Sequence, residues 1–165
     1  MKIAAQTNYI RDSVAAWAAA NNGKGEVARN MIHWFGVLAT APGGFRFAVK
    51  FKGEDKRGEF EEASMFDRKF WIGFSYGQSL QLEKGDALTK GQAGGRPLFD
   101  LVEELRDVIR GFQFDPNTTE VSPNYTGAHE LIEAAPDWAM IDGFYLEFTI
   151  GTIAHLPTVQ TEEGD

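Results

Sequence analysis

Between Arg96 and Asp115 the chain reads RPLFDLVEELRDVIRGFQFD. Leu98, Leu101, Val102, Leu105, Val108, Ile109 and Phe112 recur at intervals of three and four, the spacing of one face of an α-helix. Asp100, Glu103, Glu104, Arg106, Asp107 and Arg110 occupy the remainder. A helix divided in this way must lay its apolar side on something, so the rest of the chain has to supply an apolar surface. Pro97 suits the first turn, where a missing N–H costs nothing. Asp100 lies near the favourable end of the helix dipole, Arg106 and Arg110 complement the other end, and Gly111 is a stop signal. Glu103 and Asp107 form a like-charge pair one turn apart, which Arg106 offsets by reaching Glu103.

Three segments offer the matching surface. FRFAVKFK sets Phe45, Phe47, Val49 and Phe51 on one side and Arg46, Lys50 and Lys52 on the other. FWIGFSYG groups Phe70, Ile72, Phe74 and Tyr76, and FYLEFTIGTI groups Phe144, Leu146, Phe148 and Ile150. A period of two with one apolar side is a half-buried strand, and thirteen Phe residues suit a pleated surface. Ile3, Thr7, Ile10, Val14 and Trp17 mark a further helix over about residues 2 to 20, closed by NNGKG. In EVARNMIHWFGVLATAP the first half reads as helical and HWFGVLAT as a short strand. The predicted fold class is α+β, a mainly antiparallel sheet covered on one face by the N-terminal helix and the long amphipathic helix. At 165 residues the expectation is one domain over 1–155, with polar loop excursions at about 53–68, 83–97 and 113–143, and a polar tail over 156–165.

Chemistry-bearing patterns are sparse. His33, His129 and His155 have no metal-ligand spacing. His129-Glu130 with Glu133 makes a carboxylate–imidazole pair or an ordinary solvated helix face, and Asp137 and Asp142 read as turn caps around Trp138. KGQAGGRP runs into a helix start but matches neither phosphate-loop pattern, and Pro97 removes one N–H there. Ser64, Ser75 and Ser79 lack a nucleophile elbow. The expectation is therefore no catalytic, metal or cofactor residue, and no enzyme. Without cysteine there is no thiolate chemistry. Arg11 and Asp12 interrupt any leader-like apolar run, and no stretch is long enough for a membrane span. A net charge of −8 and a pI near 4.9 argue against a stable grip on nucleic acid, which needs a basic footprint.

The order of these elements resembles the tail terminator proteins of long-tailed bacteriophages. The resemblance is carried by the opening helix around YIRDSVAAWA, the strands FRFAVKF and RKFWIGFSYG, the helix PLFDLVEELRDVIRG and the closing strand DGFYLEFTIG, and it spans most of residues 2 to 153. It implies a structural virion protein, assembled in the host cytoplasm. Such a protein forms a ring, usually a hexamer, that caps the head-proximal end of the tail tube and stops its polymerisation. Its implied partners are further copies of itself, the tail tube protein and the head-side connector protein, with DNA passing the channel unbound. Candidate assembly-interface or channel residues are Glu54, Asp55, Lys56, Arg57, Glu59, Glu61 and Glu62 in the first excursion, and Glu103, Glu104 and Asp107 on the long helix. Two other readings share these features: another neck or tube component, and an oligomerising α+β binding module outside viruses. A small enzyme is a third.

Overall fold

Phe47, Val49 and Phe51 alternate with Ala48, Lys50 and Lys52, and such a segment satisfies its backbone and its apolar side together only within a covered sheet. The computed structural model of the protein describes residues 1–40, 44–60, 63–78, 86–90, 96–114, 123–134 and 141–155. Its sheet contains β1 (Lys24–Val27), β2 (Arg46–Phe60), β3 (Ala63–Gln78), β4 (Asn124–Glu130) and β5 (Ile141–His155) in the order β1-β2-β3-β5-β4. β1 runs parallel to β2, and every other pair is antiparallel.

The predicted strands lie side by side in register. Phe47, Phe74 and Phe144 form one cross-strand row, Val49, Ile72 and Leu146 the next, and Phe51, Phe70 and Phe148 the third. On this inner face lie α1 (Ile3–Ala20), through Ile10, Val14 and Ala18, and α4 (Leu98–Arg110), through Leu98, Leu101, Leu105 and Ile109. All seven of these side chains are fully buried, and each large one contributes about 1.5–3 kcal/mol by leaving water. The α+β arrangement predicted from the alternation is the one observed. The ends of α4 differ in detail. Pro97 is the cap residue just outside the helix, and Gly111 ends it in a right-handed conformation at φ −87°, without the left-handed turn that favours glycine. Arg106 does not pair with Glu103; its salt-bridge partner is Asp107, at 3.8 Å.

Several expectations are corrected. HWFGVLAT is not a strand: α2 (Met31–Leu38) is a helix, capped by Asn30, whose Oδ1 accepts from the His33 amide at 2.8 Å. Of the half expected to be helical, Glu26 and Val27 end the edge strand β1 and the helix begins only at Met31, so α2 is the crossover of a parallel β–α–β unit. Trp34, Phe35 and Leu38 of α2 cover part of the sheet's outer face, where Gly73 admits the Trp34 ring; a Cβ there would sit 2.5 Å from it. Span 53–68 is no loop: as far as Phe60 and from Ala63 it continues β2 and β3 as a long hairpin. Gly53, at φ +128°, takes up a bulge in it that other residues would strain to adopt. Finally, the 113–143 span contains the edge strand β4 and the short α5 (Leu131–Ala134), and Asp142 lies in β5 where a turn cap was expected. In the 83–97 span, α3 (Asp86–Thr89) is helical. Asp137, Trp138, Ser79 and the 156–165 tail lie outside the described residues.

Leu105 sits under α4 with no exposed surface. Leu105→Asp places an unpaired charge in that layer, so thermal or urea denaturation should show a loss of about 3 kcal/mol or more. Melting within a degree or two of wild type would contradict the packing.

Candidate functional site

Beyond Phe51 the hairpin leaves the helices and carries the predicted charges. Arg68 is buried at its base on the inner face, beneath the start of α1. Its guanidinium donates to Glu54 Oε1 at 2.9 Å, to Gln6 Oε1 at 2.9 Å and to the Met1 carbonyl at 2.7 Å, while Gln6 Nε2 donates to Thr152 Oγ1 at 3.0 Å. A buried charge is tolerable only when it is paired and hydrogen-bonded in this way. Glu54 therefore anchors Arg68 while keeping part of its own surface open to water. Farther out, Arg57 holds Asp67 with two guanidinium nitrogens, which raises the arginine's pKa above its ordinary value, and Lys56 pairs with Glu59. Asp55 is exposed, and Glu61 and Glu62 lie outside the described residues.

On α4 the three predicted acids separate. Glu104 turns toward the core edge, accepting from Trp17 Nε1 at 3.3 Å and pairing with Arg96. Glu103 and Asp107 are exposed and share one stripe with Asp100. Among the described residues no hydrogen bond or salt bridge joins the hairpin charges to those of α4, so the two predicted groups are distinct surfaces.

A third surface was missed. On the outer face, Lys50, Trp71 and Glu147 form one cross-strand row, with Gly73 and Tyr145 in the next. Trp71 stacks on Tyr145 with ring centres 4.2 Å apart, His129 lies 5.2 Å beyond Tyr145, and Trp34 of α2 flanks both larger rings. Lys52 lies over the Trp71 ring at 4.0 Å, an attraction between cation and ring quadrupole. Partial burial lowers the Lys52 pKa, helped by Lys50 and Lys69 and opposed by Glu147. Burial pushes the Glu147 carboxyl up, but hydrogen bonds from Trp71 Nε1 at 2.8 Å and Thr126 Oγ1 at 2.9 Å, with the charges of Lys69 and His129, leave it below its ordinary value. Burial raises the Tyr145 hydroxyl, and Glu133 and Glu147 add to that. The signal was present in the alternation of FRFAVKFK, where the lysines fall on the polar side; what a single strand did not show is that Trp71 and Tyr145 would join them there.

His129 does pair with Glu133, Nδ1 to Oε2 at 3.1 Å, although His129 lies in β4 and only Glu133 is helical. His33 bonds Glu26 at 3.2 Å and accepts from the Arg29 amide. Among the described residues no group of three or more His, Asp or Glu side chains is placed to hold a metal ion. A cleft of about 340 Å3 between α2 and the β1–β2 edge is lined by Lys24, Glu26, Thr40 and Arg46, with charges of both signs. What these surfaces offer together is charged and aromatic contact area.

Because its folded pKa is depressed, Glu147 contributes stability above the ordinary carboxylate range, and that contribution is lost as pH falls through the folded value. Wild type should melt above Glu147→Gln near neutral pH, and the gap should close on acidification below about pH 4.3. A gap independent of pH would count against an ionised Glu147 in this network.

No protein-family model matches this sequence, and a search of curated proteins returned no match.

Proposed function

We propose that the protein is a structural ring subunit of the tail terminator kind. In this reading it caps the head-proximal end of a phage tail tube, ends polymerisation there and joins the tail to the head-side connector, with no catalytic role. The observation that carries the reading is the ribbon formed by β2, β3 and β5 past Glu54, Arg68 and Ile150. β1 pairs with β2 only as far as Val49, and β4 reaches β5 only between Phe144 and Thr149. Among the described residues the ribbon therefore has two unpaired edges. From Glu54 to Phe60 it extends about 20 Å at the usual rise per residue.

A monomer gains little from such an arm, whose outer part carries Asp55, Lys56, Arg57 and Glu59 exposed to water. Bulges near Gly53 and Gly58 and the charged side chains guard the edge against indiscriminate strand pairing. An arm of this kind suits a chosen neighbour. Contacts between non-identical patches close into a ring when the rotation allows. The net charge of −8 supports passage of DNA without binding, since a repelled phosphate backbone releases no counterions to the protein.

Analytical ultracentrifugation over a range of concentrations, with tail tube protein added, should reveal a closed ring, with a hexamer expected. A gel-shift titration with duplex DNA should stay blank at roughly physiological salt. Lys56 lies opposite Phe66, so replacing residues 57–65 by Asn-Gly closes the hairpin early with a two-residue turn. The shortened chain should melt near wild type and fail to assemble. A wild-type chain that stays monomeric with the tube protein present would defeat the ring reading.

A further inference from the structure

We infer that the basic patch on the outer sheet face, Lys50, Lys52 and Lys69, receives the acidic stripe Asp100, Glu103 and Asp107 of α4 from a second copy of the chain, an interface that rests on the ring reading. The two surfaces lie on opposite sides of the same sheet. Lys50 pairs across the sheet with Trp71, Lys69 with Thr149, and Lys52 is turned onto Trp71, so all three ammonium groups leave the face opposite to α4. Each copy thus carries one donor and one acceptor surface that its own fold keeps apart, which is the condition for a head-to-tail contact.

The charges are unbalanced where they stand. Partial burial first, and then the charges of Lys50 and Lys69, make Lys52 harder to protonate, and Glu147 is the carboxylate that opposes them. Glu147 is itself engaged by Trp71 and Thr126. Lys50 Nζ donates to the Phe51 carbonyl at 2.9 Å and Lys52 Nζ lies 3.6 Å from the Met31 sulfur, and among the described residues none of the three lysines closes a salt bridge. On α4, Asp107 has a 3.8 Å contact with Arg106, and Arg106 and Arg110 bound the stripe at its C-terminal end. The dimensions agree. Asp100 to Asp107 spans about 10 Å along a helix, and Lys50 to Lys52 with Lys69 one strand over covers about 7 by 5 Å before the side chains extend.

Lysines beside aromatic rings on a sheet also suit single-stranded nucleic acid, but here the rings are already covered. Lys52 lies over Trp71, and Trp71 and His129 flank Tyr145. Base stacking needs an open aromatic face. An acidic protein surface needs only the ammonium groups.

The chain contains no cysteine, which permits a direct test in the full-length protein. Lys69→Cys/Glu103→Cys should form a ladder of disulfide-linked multimers on mild oxidation, while either single variant gives none beyond background. In parallel, Lys69→Glu and Glu103→Lys should each weaken self-association about tenfold at low salt, and the double reversal should regain it. Circular dichroism and melting confirm that each variant folds. If wild type forms rings but the cysteine ladder is absent and the reversals assemble normally, this interface is wrong and the ring reading stands. If wild type does not self-associate even with tail tube protein, both fall. Salt-sensitive binding of an oligonucleotide that Lys69→Glu abolishes would overturn the second copy as occupant.

Discussion

Everything in this molecule depends on the pairing of β3 with both β2 and β5. The Phe51–Phe70–Phe148 row shows why. Phe70 lies 5.4 Å from Phe51 and stacks on Phe148 at 5.6 Å, with both neighbours on the inner face. A slip of one residue in either pairing would turn every apolar side chain of that strand toward the outer face. It would also set the lysines against α1 and α4. The penalty for burying those charges makes this register strongly specified.

The same register builds the outer face. Once Phe70 and Ile72 point inward, Lys69, Trp71 and Gly73 must point outward, and the same holds for Tyr145 and Glu147 between their inward neighbours in β5. Gly73 leaves the gap into which Trp34 fits, so α2 lands at one end of the sheet and Lys52, Trp71 and Glu147 remain beside it. The inner and outer faces are thus two consequences of one alternation, one apolar as far as Arg68 and the other divided between a small core and a charged, aromatic surface.

At the far end, Arg68 marks where the covered sheet becomes a ribbon. Its side chain is held by Glu54, Gln6 and the first residue of the chain. Past it the pairing partners change from apolar rows to salt bridges such as Arg57 with Asp67. Exposed pairs of this sort add little stability, so the ribbon is held mainly by its backbone ladder and by the anchored base. A charged arm beside a firmly packed body suits contact with other subunits, and it is the basis of the assembly role proposed above.

Which residues form the inner core was legible in the sequence, because helical and strand periodicities each report which side of an element avoids water. α1, α4 and the inward halves of β2, β3 and β5 followed from that signal alone. The signal failed where an element is short or has two wet sides. β1 and β4 are edge strands with little alternation, and the outer hairpin is charged on both faces, so it resembled a loop. α2 is apolar over most of its circumference although Ile32 is exposed, so its periodicity marked no buried side and only the Asn30 cap betrayed it. Of the predicted charges that are described, Asp55, Lys56, Arg57, Glu59, Glu103 and Asp107 are exposed, while Glu54 and Glu104 are tied to Arg68 and to Trp17 with Arg96. Composition fixed the net charge; where the positive and negative groups gather was decided by tertiary structure. Lys50, Lys69, Trp71, Tyr145 and Glu147 come from three strands and become one surface only when cross-strand pairing sets them about 5 Å apart.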